Sequence, residues 1–181
     1  AGIHSKHVAL QDNIDQDSLE AEIEKLARDD SVNGILVQLP LPKHINKDRI
    51  LARIPPEKDV DGLTDVNMGR LVQGQNQLVP CTPLGVMRLI EAYNIPTAGK
   101  TAVVVGRSSL VGLPQVLLLA ARGADATVTL AHSRSENLIE ICQRADILVS
   151  AVGSAGMITA AHVKPGAMVF DVGVTRTAAG I

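Results

Sequence analysis

Residues 101–114 read TAVVVGRSSLVGLP, a run of small and β-branched apolar residues followed by a glycine-containing turn. An apolar run without alternating polar residues predicts a parallel strand that is buried on both faces. The turn from Gly106 to Gly112 leads into a helix predicted over 110–122. In such a unit, glycines let backbone amides approach a pyrophosphate at the helix N-terminus. The spacing G-x5-G differs from G-x-G-x-x-G, so a tight turn that binds nothing is the alternative.

The same alternation of strands and helices continues downstream. Strands are predicted over 126–131, 146–152 and 167–172, with helices over 136–144 and 159–163. Alternation at this spacing is typical of right-handed βαβ units in a parallel sheet. The sequence therefore predicts an α/β protein that contains a Rossmann-like parallel sheet, and ligands bind such sheets at the carboxyl ends of the strands.

The region upstream of this sheet has a less regular pattern. Helices are predicted over 17–29 and 46–54, with a buried strand over 34–39 between them, and another helix over 82–94. Residues 57–80 show no sustained period and are predicted to form a long loop. Loops of this length are uncommon in compact domains unless they have a function, so this segment is a candidate for substrate binding.

Composition and charge exclude several classes of protein. The chain has 181 residues, 46% of them hydrophobic, and its 17 basic and 19 acidic residues leave a net charge of -2. This balance argues against a nucleic-acid partner or a membrane surface, which would need a cationic face. Cys81 and Cys142 show no pairing pattern, which favours a reduced, cytoplasmic protein, and no ligand spacing predicts a metal site. No apolar run approaches the roughly 20 residues of a membrane helix.

The end of the second predicted strand bears on the choice of dinucleotide. A Rossmann-type NAD site places a carboxylate there, which accepts hydrogen bonds from the ribose hydroxyls. Residues 131–135 contain no acid, and Ser133 and Arg134 lie there, while Arg107 lies in the glycine turn. Guanidinium and hydroxyl donors suit a ribose 2′-phosphate, so the residues favour NADP over NAD. An Arg134 that is merely solvated is the alternative.

Two further candidates lie in the first part of the chain. Gln38 precedes Pro40 in a predicted buried strand, where an amide side chain needs hydrogen-bond partners. Residues 57–62 group three carboxylates and a lysine before a glycine. This group could bind a substrate or could be a solvated turn, because Asp and Gly favour turns for local reasons.

Four motifs in order resemble one known family. They are GILVQLPLP at 34–42, KDVDG at 58–62, PCTP at 80–83 and VGRSSLVGLP at 105–114. Together they strongly resemble the bifunctional methylenetetrahydrofolate dehydrogenases/methenyltetrahydrofolate cyclohydrolases of folate one-carbon metabolism, and the resemblance runs along nearly the whole chain.

The resemblance implies a two-domain α/β architecture. An incomplete folate-binding catalytic domain is expected over 1–96, and a Rossmann-like NADP-binding domain over 97–174. Residues 175–181 are then expected to start the segment that returns to the first domain. The family's Pro-Gly-Gly segment, which contacts substrate, is expected beyond Ile181.

The resemblance also implies the chemistry. The family oxidises 5,10-methylenetetrahydrofolate to 5,10-methenyltetrahydrofolate with NADP and hydrolyses the product to 10-formyltetrahydrofolate, which serves purine biosynthesis. Tetrahydrofolate derivatives are therefore the expected substrates, and a homodimer is the expected assembly. A catalytically inactive NADP-binding module is the alternative, and the sequence upstream of Ala1 would distinguish the two.

The resemblance assigns folate-site roles to four residues of this chain. Val37, Gln38 and Leu39 are expected to line the folate site, and Asp61 is expected to hold the pterin ring. Gln38 and Asp61 are the expected catalytic group. Gln38 would bond to the lysine of a Tyr-x-x-x-Lys motif, the family's principal catalytic residue, which is expected just before Ala1.

The resemblance likewise assigns five residues to the cofactor. Gly106, Arg107 and Ser108 are expected to bind the phosphates of NADP. Ser133 is expected to join Arg107 at the 2′-phosphate, and Val174 is expected to contact the nicotinamide side.

Overall fold

The computed structural model of the protein describes residues 2–75 and 77–174. The chain divides into two compact units, the first ending at Val60 and the second beginning at Asp61. Each unit has its own hydrophobic core.

The first unit is built around two helices, α1 (Gln16–Arg28) and α2 (Lys47–Leu51). α1 begins after Asp15, whose carboxylate accepts the amide hydrogen of Ser18 at 2.8 Å and so caps the helix. Apolar residues spaced along one face of α1 are buried against α2 and the segments around it. The buried members of this core are Leu19, Ile23, Ile35, Ile45, Ile50 and Ile54.

A buried carboxylate links the two helices of the first unit. Glu20 is only 5% exposed, and it accepts hydrogen bonds from Gln16 Nε2 at 2.8 Å and from Arg53 at 2.7 and 3.0 Å. Arg49 Nη2 lies 2.8 Å from Oε1, the oxygen that also accepts from Gln16, whereas Arg53 donates to Oε2. The Gln16 hydrogen bond, followed by those from the two arginines, lowers the pKa of Glu20 below its ordinary value.

Glu20→Gln is expected to lower the melting temperature by a few degrees at neutral pH, because an amide pairs poorly with two guanidinium groups. The pKa of Glu20 is lowered on folding, so its charge stabilises the protein above the ordinary value of 4.5, and this stabilisation disappears as the pH falls through the folded-state pKa. The difference in melting temperature between wild type and Glu20→Gln should therefore become smaller as the pH falls. Circular dichroism melts across pH test this, with the exposed Glu57→Gln as control. A difference that is the same at all pH values would contradict it.

The predicted strand over 34–39 is not a regular strand. Among the described residues its backbone pairs only at Ile35, in a parallel bridge to Asp59. Leu36 is 59% exposed and Gln38 is exposed as well, so the prediction of burial on both faces is wrong here. A strand is buried on both faces only when it has neighbouring strands and covering helices, and the residues that the structure describes supply one bridge.

The second unit begins with a helix that the sequence did not predict. α3 (Asp65–Val72) lies inside the segment 57–80, which was expected to be a loop. Thr64 starts the helix, because its hydroxyl accepts the amide hydrogen of Asn67 at 3.3 Å. The two buried positions of this short helix are Asn67 and Leu71, and since one of them is polar, no apolar period is visible in the sequence.

The centre of the second unit is a four-stranded sheet in the order β2-β1-β3-β4, and every neighbouring pair is parallel. This confirms the predicted α/β fold with a parallel sheet. The strands are β1 (Thr101–Val105), β2 (Thr127–Ala131), β3 (Ile147–Ser150) and β4 (Met168–Asp171). The helices are α4 (Cys81–Ala92), α5 (Gly112–Ala120) and α6 (Leu138–Gln143), with a 3₁₀ turn at Ala160–His162. None of the helices within 2–75 and 77–174 is long and apolar enough to cross a membrane.

Alternate residues of β1 belong to two different cores, one on each face of the sheet. Val104 packs with α4 and α5, whereas Val103 packs with α6. Because α4 buries Val86 and Ile90 in the first of these cores, it belongs to the second compact unit, which starts 36 residues before the expected domain start at 97. The limits 1–96 and 97–174 stay a prediction about functional domains.

Candidate functional site

All five residues predicted to bind the cofactor lie at one edge of the sheet. Parallel strands bring their carboxyl ends to the same edge, where the connecting loops form a ligand site. Gly106, Arg107 and Ser108 follow β1, Ser133 follows β2, and Val174 follows β4.

The loops at this edge are in close contact. Gly106 has a φ of +119°, and a Cβ built on it would overlap the carbonyl oxygen of Ala151, which follows β3. A Cβ on Gly173 would overlap the carbonyl oxygen of Val152. A Cβ on Gly153 would lie 3.3 Å from the carbonyl oxygen of Val174. The packing of the backbone thus requires glycine at 106 and 173, and it brings Val174 beside the loop after β3.

Ser108 accepts hydrogen bonds from the amides at the start of α5. Its hydroxyl accepts hydrogen bonds from the amides of Val111 at 3.2 Å and Gly112 at 3.5 Å, and its carbonyl accepts from Leu113 at 3.0 Å. The amides of Val111 and Gly112 are thus bonded to Ser108, and the binding of an anion at this helix N-terminus stays a prediction. Within the described part of the chain, the amides of residues 107–110 have no hydrogen-bond partner, so the row of available donors lies just before the helix.

The ends of β1 and β2 are adjacent, because the Gly106 amide donates to the carbonyl of Ala131 at 2.8 Å. Arg107 and Ser133, which follow these two residues closely, have exposed side chains. Arg134 is exposed too. An exposed guanidinium and a hydroxyl at neighbouring strand ends, with no carboxylate over 131–135, form a surface that suits an anion attached to a ribose.

The residues expected at the folate site lie on one short segment of the first unit. Val37 is half-buried and packs against the core of that unit, and Leu39 is half-buried too. Gln38 is exposed, and its Nε2 donates to the carbonyl of Leu39 at 3.0 Å. The expectation of a buried Gln38 is therefore wrong. Its Oε1 accepts no hydrogen bond from any residue that the structure describes.

The carboxylates of residues 57–62 differ from one another in environment, which the sequence did not indicate. Glu57 is exposed, Asp59 is only 1% exposed, and Asp61 is half-buried at the start of the second unit. Lys58 is anchored to the end of α1, since its Nζ donates to the carbonyls of Ala27 and Asp29 at 2.8 Å each. This group is therefore not a uniformly solvated turn.

Sequence reasoning missed His132 and Ser135, whose hydrogen bonds close the turn after β2. Their signal was the pair of serines, Ser133 and Ser135, directly after a predicted strand, because serines in such places often bond to nearby backbone. Over residues 2–75 and 77–174, no group of three or more His, Cys, Asp or Glu side chains is arranged to hold a metal ion.

Two family models match the chain in order. Residues 1–61 match the family described as tetrahydrofolate dehydrogenase/cyclohydrolase, catalytic domain. Residues 80–180 match the one described as tetrahydrofolate dehydrogenase/cyclohydrolase, NAD(P)-binding domain.

Similar proteins with curated names are longer than this chain. The chain is 50% identical over 179 residues to the bifunctional protein FolD of Enterococcus faecalis and 51% identical over 175 residues to that of Acetivibrio thermocellus. These alignments cover 99% and 97% of this chain but 63% and 61% of the relatives. The chain thus spans less than two thirds of the length of either relative.

Solved structures of similar sequence have the same fold. The FolD of Campylobacter jejuni superposes with a TM-score of 0.88 at 45% identity, covering 94% of this chain and 60% of that one. The Trypanosoma brucei enzyme, complexed with NADP cofactor and inhibitor, superposes with a TM-score of 0.87 at 42% identity. The alignment covers 92% of this chain and 57% of that one. The NAD-dependent enzyme of Saccharomyces cerevisiae is less similar, with a TM-score of 0.74 at 27% identity. This alignment covers 90% of this chain and 64% of that one.

Proposed function

The chain belongs to the tetrahydrofolate dehydrogenase/cyclohydrolase family, and we propose that its protein oxidises 5,10-methylenetetrahydrofolate with NADP and hydrolyses the 5,10-methenyltetrahydrofolate formed to 10-formyltetrahydrofolate. The ordered match of both family models, to residues 1–61 and 80–180, carries this proposal. No observation favours the alternative of a catalytically inactive NADP-binding module.

The residues at the sheet edge fit a phosphorylated dinucleotide. Arg107 and Ser133 would hold the 2′-phosphate, since a guanidinium and a hydroxyl both donate to phosphate oxygens. The unpaired amides of 107–110 would hold the pyrophosphate. The Ser108 hydroxyl accepts from two amides and still has its own hydrogen to donate to a phosphate oxygen. Val174 would pack on the nicotinamide side.

NADP supplies the nicotinamide that accepts the hydride, and the protein's contribution is to orient both reactants. The Asp61 carboxylate would accept hydrogen bonds from the N–H groups of the pterin ring and so fix its orientation. Gln38 Oε1 is available to accept a hydrogen bond from an ammonium group, because the other amide atom is already bonded to Leu39. In this way Gln38 would orient the lysine that the family uses as a general acid and base during hydrolysis.

Kinetics with the purified protein, in a form that contains the family's Tyr-x-x-x-Lys motif, test the proposal. In the first assay, absorbance of the reduced cofactor should rise when the protein is mixed with 5,10-methylenetetrahydrofolate and NADP. In the second, the protein is mixed with 5,10-methenyltetrahydrofolate, whose absorbance should fall faster than in buffer alone. A protein that binds NADP but catalyses neither step would establish the inactive module instead.

Asp61→Ala is expected to lower kcat/KM for the folate substrate by about tenfold, the effect of losing a hydrogen bond to a charged group. Its melting temperature should change little, because Asp61 is only half-buried. Steady-state kinetics and thermal melts, with the exposed Asp30→Ala as a control, separate the two effects. A large drop in melting temperature with near-normal kinetics would make Asp61 a turn-forming residue.

We further propose that the protein is a homodimer in the cytoplasm, as the family resemblance implies. Cys81 is exposed and Cys142 is buried, and burial raises the pKa of the Cys142 thiol, which makes it less reactive. Analytical ultracentrifugation would give the assembly directly, and a mass that stays monomeric at all concentrations would contradict it.

A further inference from the structure

The turn that follows β2 is closed by its own side chains. The His132 amide donates to Ser135 Oγ at 3.0 Å, and the Ser135 amide donates back to the His132 carbonyl at 2.8 Å. The Arg134 amide donates to His132 Nδ1 at 3.2 Å. The four residues 132–135 thus form a turn with two side-chain acceptors.

These bonds leave one amide of the turn available. The amides of 132, 134 and 135 are all bonded within the turn, whereas the Ser133 amide has no partner among the described residues. The Ser133 side chain and the Arg134 side chain are both exposed. The turn therefore presents the amide and hydroxyl of Ser133 together, and it fixes the backbone that carries Arg134.

These donors lie next to the turn that carries Arg107. β1 and β2 pair in parallel register as far as Val105 and Ala131, and the pairing is extended by the hydrogen bond from Gly106 to Ala131. Donors from two adjacent strand ends can therefore reach one phosphate group, provided that the His132–Ser135 turn keeps its shape.

We propose that Ser135 is a positioning residue that selects NADP over NAD by holding the His132–Ser135 turn in the shape that binds the 2′-phosphate. This inference rests on the proposed function, because it assigns a support to the cofactor site proposed above. Ser135 acts through the backbone of His132 and does not itself touch the phosphate. Without its hydroxyl, the His132 amide loses its acceptor, the turn opens, and the Ser133 donors are no longer pre-organised.

Titration calorimetry of the purified protein tests this with four ligands. NADP and 2′,5′-ADP carry the 2′-phosphate, whereas NAD and 5′-AMP lack it. Ser135→Ala should raise the Kd for the two phosphorylated ligands by about fivefold, the effect of one net hydrogen bond, and leave the other two within about twofold. Ser135→Thr keeps the hydroxyl and should restore the affinity for NADP. Thr129→Ala removes an exposed hydroxyl from β2 and is the matched control.

The outcomes separate this inference from the proposed function. A wild-type protein that prefers NADP, with Ser135→Ala unchanged, would overturn the role of Ser135 alone. Equal weakening of NADP and NAD binding in Ser135→Ala would also overturn it, because the turn would then shape the site without distinguishing the 2′-phosphate. No recovery of NADP affinity in Ser135→Thr would overturn it as well, because the hydroxyl would then not be the group that holds the turn. A wild-type protein without preference for NADP would overturn the proposed cofactor and this inference together.

Discussion

Gly106→Ala is expected to destabilise the protein by about 2 to 4 kcal/mol and to raise the Kd for NADP more than about a hundredfold. Two independent costs add at this position. The φ of +119° is one that L side chains rarely adopt, and the new Cβ would overlap the carbonyl oxygen of Ala151. The obstacle is backbone at the end of β3 and cannot rotate away. The loop after β1 must therefore move, and the amides proposed to hold the pyrophosphate move with it.

Chemical denaturation and titration calorimetry give the two effects separately, provided that binding is measured well below the melting temperature. Gly85→Ala is the matched control, because Gly85 lies within α4, has no positive φ, and its added Cβ would meet nothing within 4 Å. It should leave binding unchanged and stabilise the protein by up to about 1 kcal/mol through better helix propensity. A Gly106→Ala protein of normal stability that binds NADP normally would show that the glycine is not required.

The sheet of the second unit could be predicted because its signal is local and strong. β1 has four consecutive residues that are 1% exposed or less, Ala102 to Val105, and such a run of small and β-branched residues is typical of a strand covered on both faces. The common location of the residues predicted to bind the cofactor followed from the same topology, since parallel strands place Gly106 and Ser133 at one edge.

The structure of the first unit could be predicted less completely than the sheet, because its strand-like segment lacks the partners that burial requires. An apolar run such as 34–39 indicates burial only if strands lie beside it, and a sequence pattern does not show whether they do. Gln38 was expected to be buried on that basis and is exposed. α3 was missed for a related reason, since its buried Asn67 breaks the apolar period.

The details of the site could not be predicted because they depend on which acceptor a hydroxyl finds in a particular turn. Ser108 bonds to the amides of Val111 and Gly112, and Ser135 bonds to the amide of His132. Both are serines that follow a strand, and sequence spacing does not distinguish a hydroxyl that faces a ligand from one that holds a loop.

Arg107→Ala is expected to weaken NADP binding by about 1.5 to 3 kcal/mol, or roughly 10- to 150-fold, and to leave NAD nearly unchanged. The reason is that NAD has no 2′-phosphate for the guanidinium to contact. Arg107→Lys should lose part of this affinity, because an ammonium keeps the charge but not the planar pair of donors. Titration calorimetry with both cofactors measures the loss, and Arg88→Ala removes an exposed arginine from α4 as a control.

Salt dependence gives a second test of Arg107 that does not depend on the size of the loss. The side chain is exposed, so its attraction to a phosphate is screened as ionic strength rises. The preference of the wild type for NADP over NAD should therefore fall with added salt. In Arg107→Ala the remaining preference should fall less steeply, since one charged donor has been removed from this edge and salt screens charged contacts most. Equal losses for NADP and NAD, or equal salt dependence in both proteins, would place Arg107 away from the 2′-phosphate.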